Sequence, residues 1–347
     1  MTYASASNSE EASSLRHYME PLARLLASGV TEVCVNRPGE AWTEGPTGWH
    51  RHELPELTFS RCMQLARLVS TFNKMPLRPI LSGTLPDRER VQVVMPPACS
   101  EGTISITIRK PSMINKTLAE LEAEGSFDGA EMASPGLSDV DRQLLTLLKQ
   151  RKRPGREFLE LAVRSHKNIL LAGATGSGKT TVMKSLAAVI PHSERVITIE
   201  DAHELFMEDH PNKVHLFYRK PDPGDSGPQN TAQDALKSCM RMKPDRILLA
   251  ELRGDEAWNY MDSLNTGHPG SLSSLHANSA LDAISRLTTL IKSSPAGQNL
   301  DPAYLQQLCF ETIDVVLYYK RRKLVDYYFD PERRLASSRV RSLAVAA

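Results

Sequence analysis

No stretch of the 347-residue chain approaches the roughly 18 consecutive apolar residues that a membrane-spanning helix needs, which excludes an embedded transporter. Net charge is also lacking. Lys and Arg number 42 against 41 Asp and Glu, so there is no global field of the kind that drives nonspecific DNA binding. Aromatic residues are few, with three Trp and no basic stripe interleaved with rings, so a base-stacking channel and direct DNA binding are not expected. The five cysteines, Cys34, Cys62, Cys99, Cys239 and Cys309, are scattered, odd in number and free of any C-x-x-C pair. That favours reduced thiols over a disulfide frame or a zinc site. The first fourteen residues hold no Lys or Arg and so lack the basic start of a secretory signal. Together these absences predict a cytoplasmic protein whose contact with a membrane is peripheral.

The length suits about two domains, each with its own core. Leu15, Met19, Leu22, Leu25 and Leu26 recur at helical spacing, Gly29 offers a stop, and residues 30–35 then alternate like a strand. A second helix is expected over 60–73. Two β-type runs follow at 90–95 and 103–109; in the second, Ile104, Ile106 and Ile108 face one way while Ser105, Thr107 and Arg109 face the other, presenting Arg109 at a surface. Residues 1–119 therefore read as an α+β domain. From 120 to 138 the composition turns to Glu, Ala, Gly, Ser and Pro, as in a linker. A helix capped by Ser138, with Leu144, Leu145, Leu147 and Leu148 on its buried side, opens the domain spanning 139–347. There, β-type runs near 169–172, 195–200 and 246–251 alternate with helical stretches, which predicts an α/β fold on a mainly parallel sheet.

Chemistry concentrates in that second domain. Gly173-Ala174-Thr175-Gly176-Ser177-Gly178-Lys179-Thr180-Thr181 follows an apolar strand-like run and opens a helix, the context of a P-loop. The glycines let backbone N–H groups converge on a phosphate at a helix N-terminus. Lys179 would reach the β- and γ-phosphates of ATP and the Thr180 hydroxyl would hold Mg²⁺. The apolar run ahead of Glu251 ends in that acid, a way to set a carboxylate beside Mg²⁺ and the attacking water, although residue 250 is Ala where an Asp is usual. A second acid-tipped run delivers Glu200, with Asp201 and Glu204 nearby, so the general base is either Glu200 or Glu251. His268 and His276 flank a Gly/Ser-rich turn and strand, and His276 suits a γ-phosphate sensor. Two basic clusters, Lys149 with Arg151, Lys152, Arg153 and Arg156, and Lys320-Arg321-Arg322-Lys323, read as solvated faces, with anionic lipid or DNA as the alternative.

These motifs, in this order, resemble the secretion traffic ATPases of the type II/IV superfamily. The likeness is greatest to the hexameric type IV secretion branch, across Arg241-Met242-Lys243-Pro244-Asp245-Arg246 and Asn265-Thr266-Gly267-His268-Pro269-Gly270-Ser271. Ala250 before Glu251 and Ser274 in the histidine motif depart from the usual Gly and Thr. The resemblance implies a RecA-like P-loop NTPase domain preceded by a smaller α+β domain, assembled as a homohexameric ring. It also implies a nucleotide lying between the two domains, with Arg90 and Arg109 reaching its phosphates and Arg253 and Arg246 as further candidates. Implied partners are inner-membrane secretion components and other secretion ATPases, on the cytoplasmic face of that membrane. A type IV pilus motor and a nucleotide-gated scaffold with incidental hydrolysis are the alternative functions.

Overall fold

A computed structural model describes residues 3–27, 30–111, 115–130, 136–219 and 230–335. Gly29 lies outside the described residues, as do 131–135 of the expected linker. The amino-terminal part runs α1 (Tyr3–Leu26), β1 (Glu32–Val35), β2 (Gly39–Gly45), β3 (Gly48–Leu54), α2 (Phe59–Phe72), β4 (Ile80–Thr84), β5 (Arg90–Val94) and β6 (Ser105–Arg109). The six strands form one antiparallel sheet in the order β3-β2-β1-β6-β5-β4. Leu15 and Leu22 of α1 and Leu65 and Val69 of α2 bury against Val33, Val93, Ile106 and Ile108 on one face.

The polar face of β6 is not solvated as its alternation suggests. Ser105 and Thr107 are buried, and only Arg109 at the strand's end is exposed. The reason is that this face meets the second domain. Gln92 on the adjoining β5 donates to the Ser238 hydroxyl at 2.9 Å, and Phe217 N–H donates to the Ala98 carbonyl at 2.9 Å. The 120–138 segment begins inside a helix, α3 (Leu118–Ala123), held by a capping box between Thr117 and Glu120.

The rest of the chain runs α4 (Asp139–Arg151), α5 (Arg156–Arg164), β7 (Ile169–Ala172), α6 (Lys179–Ala187), β8 (Val196–Glu200), β9 (Lys213–Phe217), α7 (Ala232–Cys239), β10 (Arg246–Leu249), α8 (Glu256–Asn265), β11 (Leu272–Leu275), α9 (Ala280–Ser293), α10 (Pro302–Thr312), β12 (Val315–Lys320) and β13 (Lys323–Tyr328). Its sheet has the order β13-β12-β7-β11-β10-β8-β9, parallel throughout except for the β12–β13 hairpin. Every residue of β7 is buried because helices cover both faces. Leu170 and Ala172 join the layer that includes Leu236, Tyr260 and Ile284, whereas Ile169 and Leu171 join Leu144, Phe158 and Met183 on the other side. This is the α/β arrangement expected, with the strand ends lined up along two edges of one sheet.

Candidate functional site

At the carboxyl edge, the chain leaves β7 at Gly173, whose φ of 149° puts a would-be Cβ 2.4 Å from the Tyr319 carbonyl oxygen on the neighbouring β12. Only glycine fits that approach. Gly178, at φ 100°, caps α6, and the loop between them borders a cleft of about 670 Å³. Thr175, Gly176, Ser177, Gly178, Lys179, Thr180 and Thr181 all line it, with Gly173 and Ala174 behind. The Lys179 ammonium donates to the carbonyls of Gly173 at 2.8 Å and Ala174 at 3.1 Å. Burial holds that amine below its ordinary value, and the nearby Glu251 charge opposes the shift. Ser177 Oγ is buried with no hydrogen-bond partner among the described residues, a donor facing the loop that a phosphate oxygen would satisfy.

Glu251 stands just past β10 and is tied from two directions, by Arg253 at 2.7 Å and by His276 Nε2 at 2.9 Å. Arg253 reaches Asp201 as well. Burial by itself would raise the Glu251 carboxyl. The Arg253 hydrogen bond and charge, joined by His276 and Lys179, outweigh it and hold the group below the usual carboxylate range. It is therefore ionised at neutral pH.

Glu200 is different. It ends β8 fully buried, and its Oε1 accepts the backbone N–H groups of Glu204 at 3.0 Å and Leu205 at 2.9 Å. Oε2 lies 3.2 Å from the Thr198 hydroxyl, which is 2.7 Å from His215 Nδ1. Burial pushes the Glu200 carboxyl up and the His215 imidazole down to about 4. The Thr198 hydroxyl, set between His215 Nδ1 and Glu200 Oε2, thus braces Glu200, whose Oε1 folds the loop carrying Asp201.

The structure brings Lys179, Thr180, Thr181, Glu200, Glu251, Arg253 and His276 to one cleft. Arg90, Arg109, Arg246 and His268 go elsewhere. Arg90 and Arg109 line a separate cavity of about 910 Å³ with His166, Lys243, Asp245 and His268, residues that precede β7, β10 and β11 at the sheet's amino edge. Strands of four or five residues, rising about 3.3 Å per residue, separate the two edges. Among the described residues the carboxyl-edge cleft is lined only from the second domain, and the amino-terminal domain of the same chain does not border it. Arg246 is wholly buried, paired with Glu194 and donating to the Gly270 carbonyl, a structural role that corrects its candidacy for phosphate contact.

Sequence reasoning missed Tyr319 and Arg322, which line the cleft from the β12–β13 hairpin. The signal was present: Lys320 to Lys323 sits between two β-type runs, and a two-residue gap there is a hairpin pattern. The other basic cluster is a solvated face, with Arg151 paired to Glu157 and Arg156 to Glu160.

The family described as Type II/IV secretion system protein matches residues 138–312. A "Type IV secretion system protein VirB11" of Brucella suis biovar 1 is 40% identical over 342 residues, 95% of this chain and 94% of that protein. "Type IV secretion system protein PtlH" of Bordetella pertussis is 42% identical over 297 residues, covering 84% and 86%. A crystal structure of the VirB11 ATPase from the Brucella suis type IV secretion system, in complex with sulphate, aligns with a TM-score of 0.89 at 38% identity, over 96% of this chain and 99% of that one.

Proposed function

Because this chain belongs to the type II/IV secretion system protein family and is a type IV secretion ATPase, we propose that it works as a homohexameric ring whose catalytic sites are completed between subunits. In this reading ATP lies along the P-loop with its γ-phosphate toward Glu251 and His276. Thr180 and Glu251 offer hard oxygen donors that would hold Mg²⁺, and an ion bound there would neutralise charge on the phosphates. Glu251, ionised and mostly buried between Arg253 and His276, orients the attacking water. Glu200 positions the loop behind it, and His276 reports on the γ-phosphate through its contact with Glu251.

The observation that supports a ring is the division of cations between the two edges of the sheet. Arg90 and Arg109 border the amino-edge cavity of their own chain, so they could reach a phosphate only on another copy. An arginine delivered across a subunit boundary ties closure to phosphate charge, so turnover would drive rigid-body movement. Such a motor would energise substrate transfer or pilus assembly, docked with inner-membrane secretion components and other secretion ATPases at the cytoplasmic face. No helix among the described residues is long and apolar enough to cross a membrane, in keeping with peripheral attachment.

A mixing experiment tests the shared site. Lys179→Ala and Arg109→Ala proteins should each be inactive, yet an equimolar mixture in one ring should regain activity at about a quarter of its interfaces, where an intact P-loop meets an intact arginine. Mixtures that co-assemble by mass measurement and stay inactive would refute the proposal.

A further inference from the structure

One wall of the carboxyl-edge cleft comes from none of the four motifs: the turn of the β12–β13 hairpin. Lys320 pairs with Lys323, so Arg321 and Arg322 are the two turn residues, and both are left-handed, with φ of 49° and 62°. Two-residue turns of this hand match the twist of the strands and favour Asn-Gly. A side chain bearing Cβ occupies that region at a cost, so turn formation does not account for two arginines in succession. Contact with the phosphate loop fixes where Arg322 stands. The Arg322 backbone N–H donates to the Ser177 carbonyl at 3.0 Å, and a Cβ on Gly178 would meet Arg322 Cα at 3.5 Å. Its side chain borders the cleft beside Thr180 and Thr181, and among the described residues no carboxylate is within ion-pairing distance of it.

Strand order fixes which end of a nucleotide this arginine meets. β12 flanks β7 on the side opposite β11, β10 and β8, the strands that deliver His276, Glu251 and Glu200. Those three mark the γ-phosphate end, so the hairpin stands over the α-phosphate and nucleoside end. We propose that Arg322 is a nucleotide-binding residue for the α-phosphate end, gripping ADP as firmly as ATP, and that the hairpin turn is its rigid mount. The proposal rests on the triphosphate site described above. A guanidinium suits the task because its planar fork can engage two phosphate oxygens at once.

Calorimetry with ADP and steady-state ATP turnover, on the full chain, test this. Arg322→Gln should weaken ADP and ATP binding together by about tenfold and raise KM for ATP as much, while kcat stays within about twofold. Arg322→Lys should restore part of the loss. Arg322→Gly places at φ 62° the residue that tolerates it, so its Tm should equal or exceed that of the unsubstituted protein while affinity still falls. Unchanged ADP affinity in a stably folded Arg322→Gly protein would overturn the proposal. So would a lower kcat with ADP affinity intact, since the guanidinium would then serve the γ-phosphate. If the unsubstituted protein took up no adenine nucleotide, the triphosphate site itself would fail, an outcome distinct from both.

Discussion

The two edges of the parallel sheet are built from the same residue types and do opposite things. At the carboxyl edge, Glu251, Arg253 and His276 form a chain of polar contacts that opens on a cleft. At the amino edge, Glu194, Arg246 and His166 form another, its arginine sealed by the sheet and by the turn at Gly270 and its histidine bordering the amino-edge cavity. A single run from Asp245 to Arg253 contributes to both, because β10 carries its first residues to one edge and its last to the other. His268 and His276 are parted in the same way by β11: one donates to the Pro244 carbonyl, the other contacts Glu251. Half of each motif therefore builds the domain and half faces the cleft. Residue type does not tell them apart; position relative to the strand does.

Substitutions that separate chemistry from architecture sharpen this contrast. The largest effect belongs to Lys179→Ala, which should cut ATP turnover to less than about a thousandth while leaving the unfolding midpoint in urea near that of the unsubstituted protein. Substantial residual turnover would remove Lys179 from the site. At the other edge, Arg246→Ala leaves Glu194 without its buried partner and should lower unfolding free energy by about 3–5 kcal/mol, by denaturant titration. Turnover per folded molecule should change little, and a selective loss of kcat would break the comparison.

A smaller effect, dependent on pH, is expected where the amino-terminal sheet adjoins the amino-edge cavity. Burial pushes the Glu32 carboxyl up to about 7, despite the Arg109 guanidinium at 3.3 Å. With a folded value above its ordinary 4.5, Glu32 binds a proton more readily when folded. Its contribution is fully present below about pH 4.5 and is lost as pH rises through 7. Glu32→Gln should accordingly gain of order 2 kcal/mol over the unsubstituted protein at pH 8, with the advantage vanishing toward pH 4.5. A gain that is equal at both pH values would mean that ionisation is not the cause.

Much of this was legible from local pattern. The P-loop announced itself because its glycines, lysine and hydroxyl lie within nine consecutive residues, and the acid-tipped strands placed Glu200 and Glu251 at one edge. What escaped was whatever depends on a partner distant in sequence. The polar face of β6 is buried because another domain meets it, which its alternation cannot reveal. Glu200 and Glu251 look alike as strand-end acids; only the loop amides on one and the Arg253 contact on the other set their surroundings apart. Arg322 was concealed by charge, since a run of four cations reads as solvated surface until the strand pairing shows it to be a turn.

The seating of β7 between β11 and β12 also sets a schedule for synthesis. Leu171 has no partner on its outer flank until Leu317 has left the ribosome, and Ser177 waits longer still for the backbone of Arg322. The loop between β7 and α6 thus reaches its final seat only after the β12–β13 hairpin has been made. Messages cut short before that hairpin would yield chains that hold the glycine-rich motif but lack the backbone contacts that seat it.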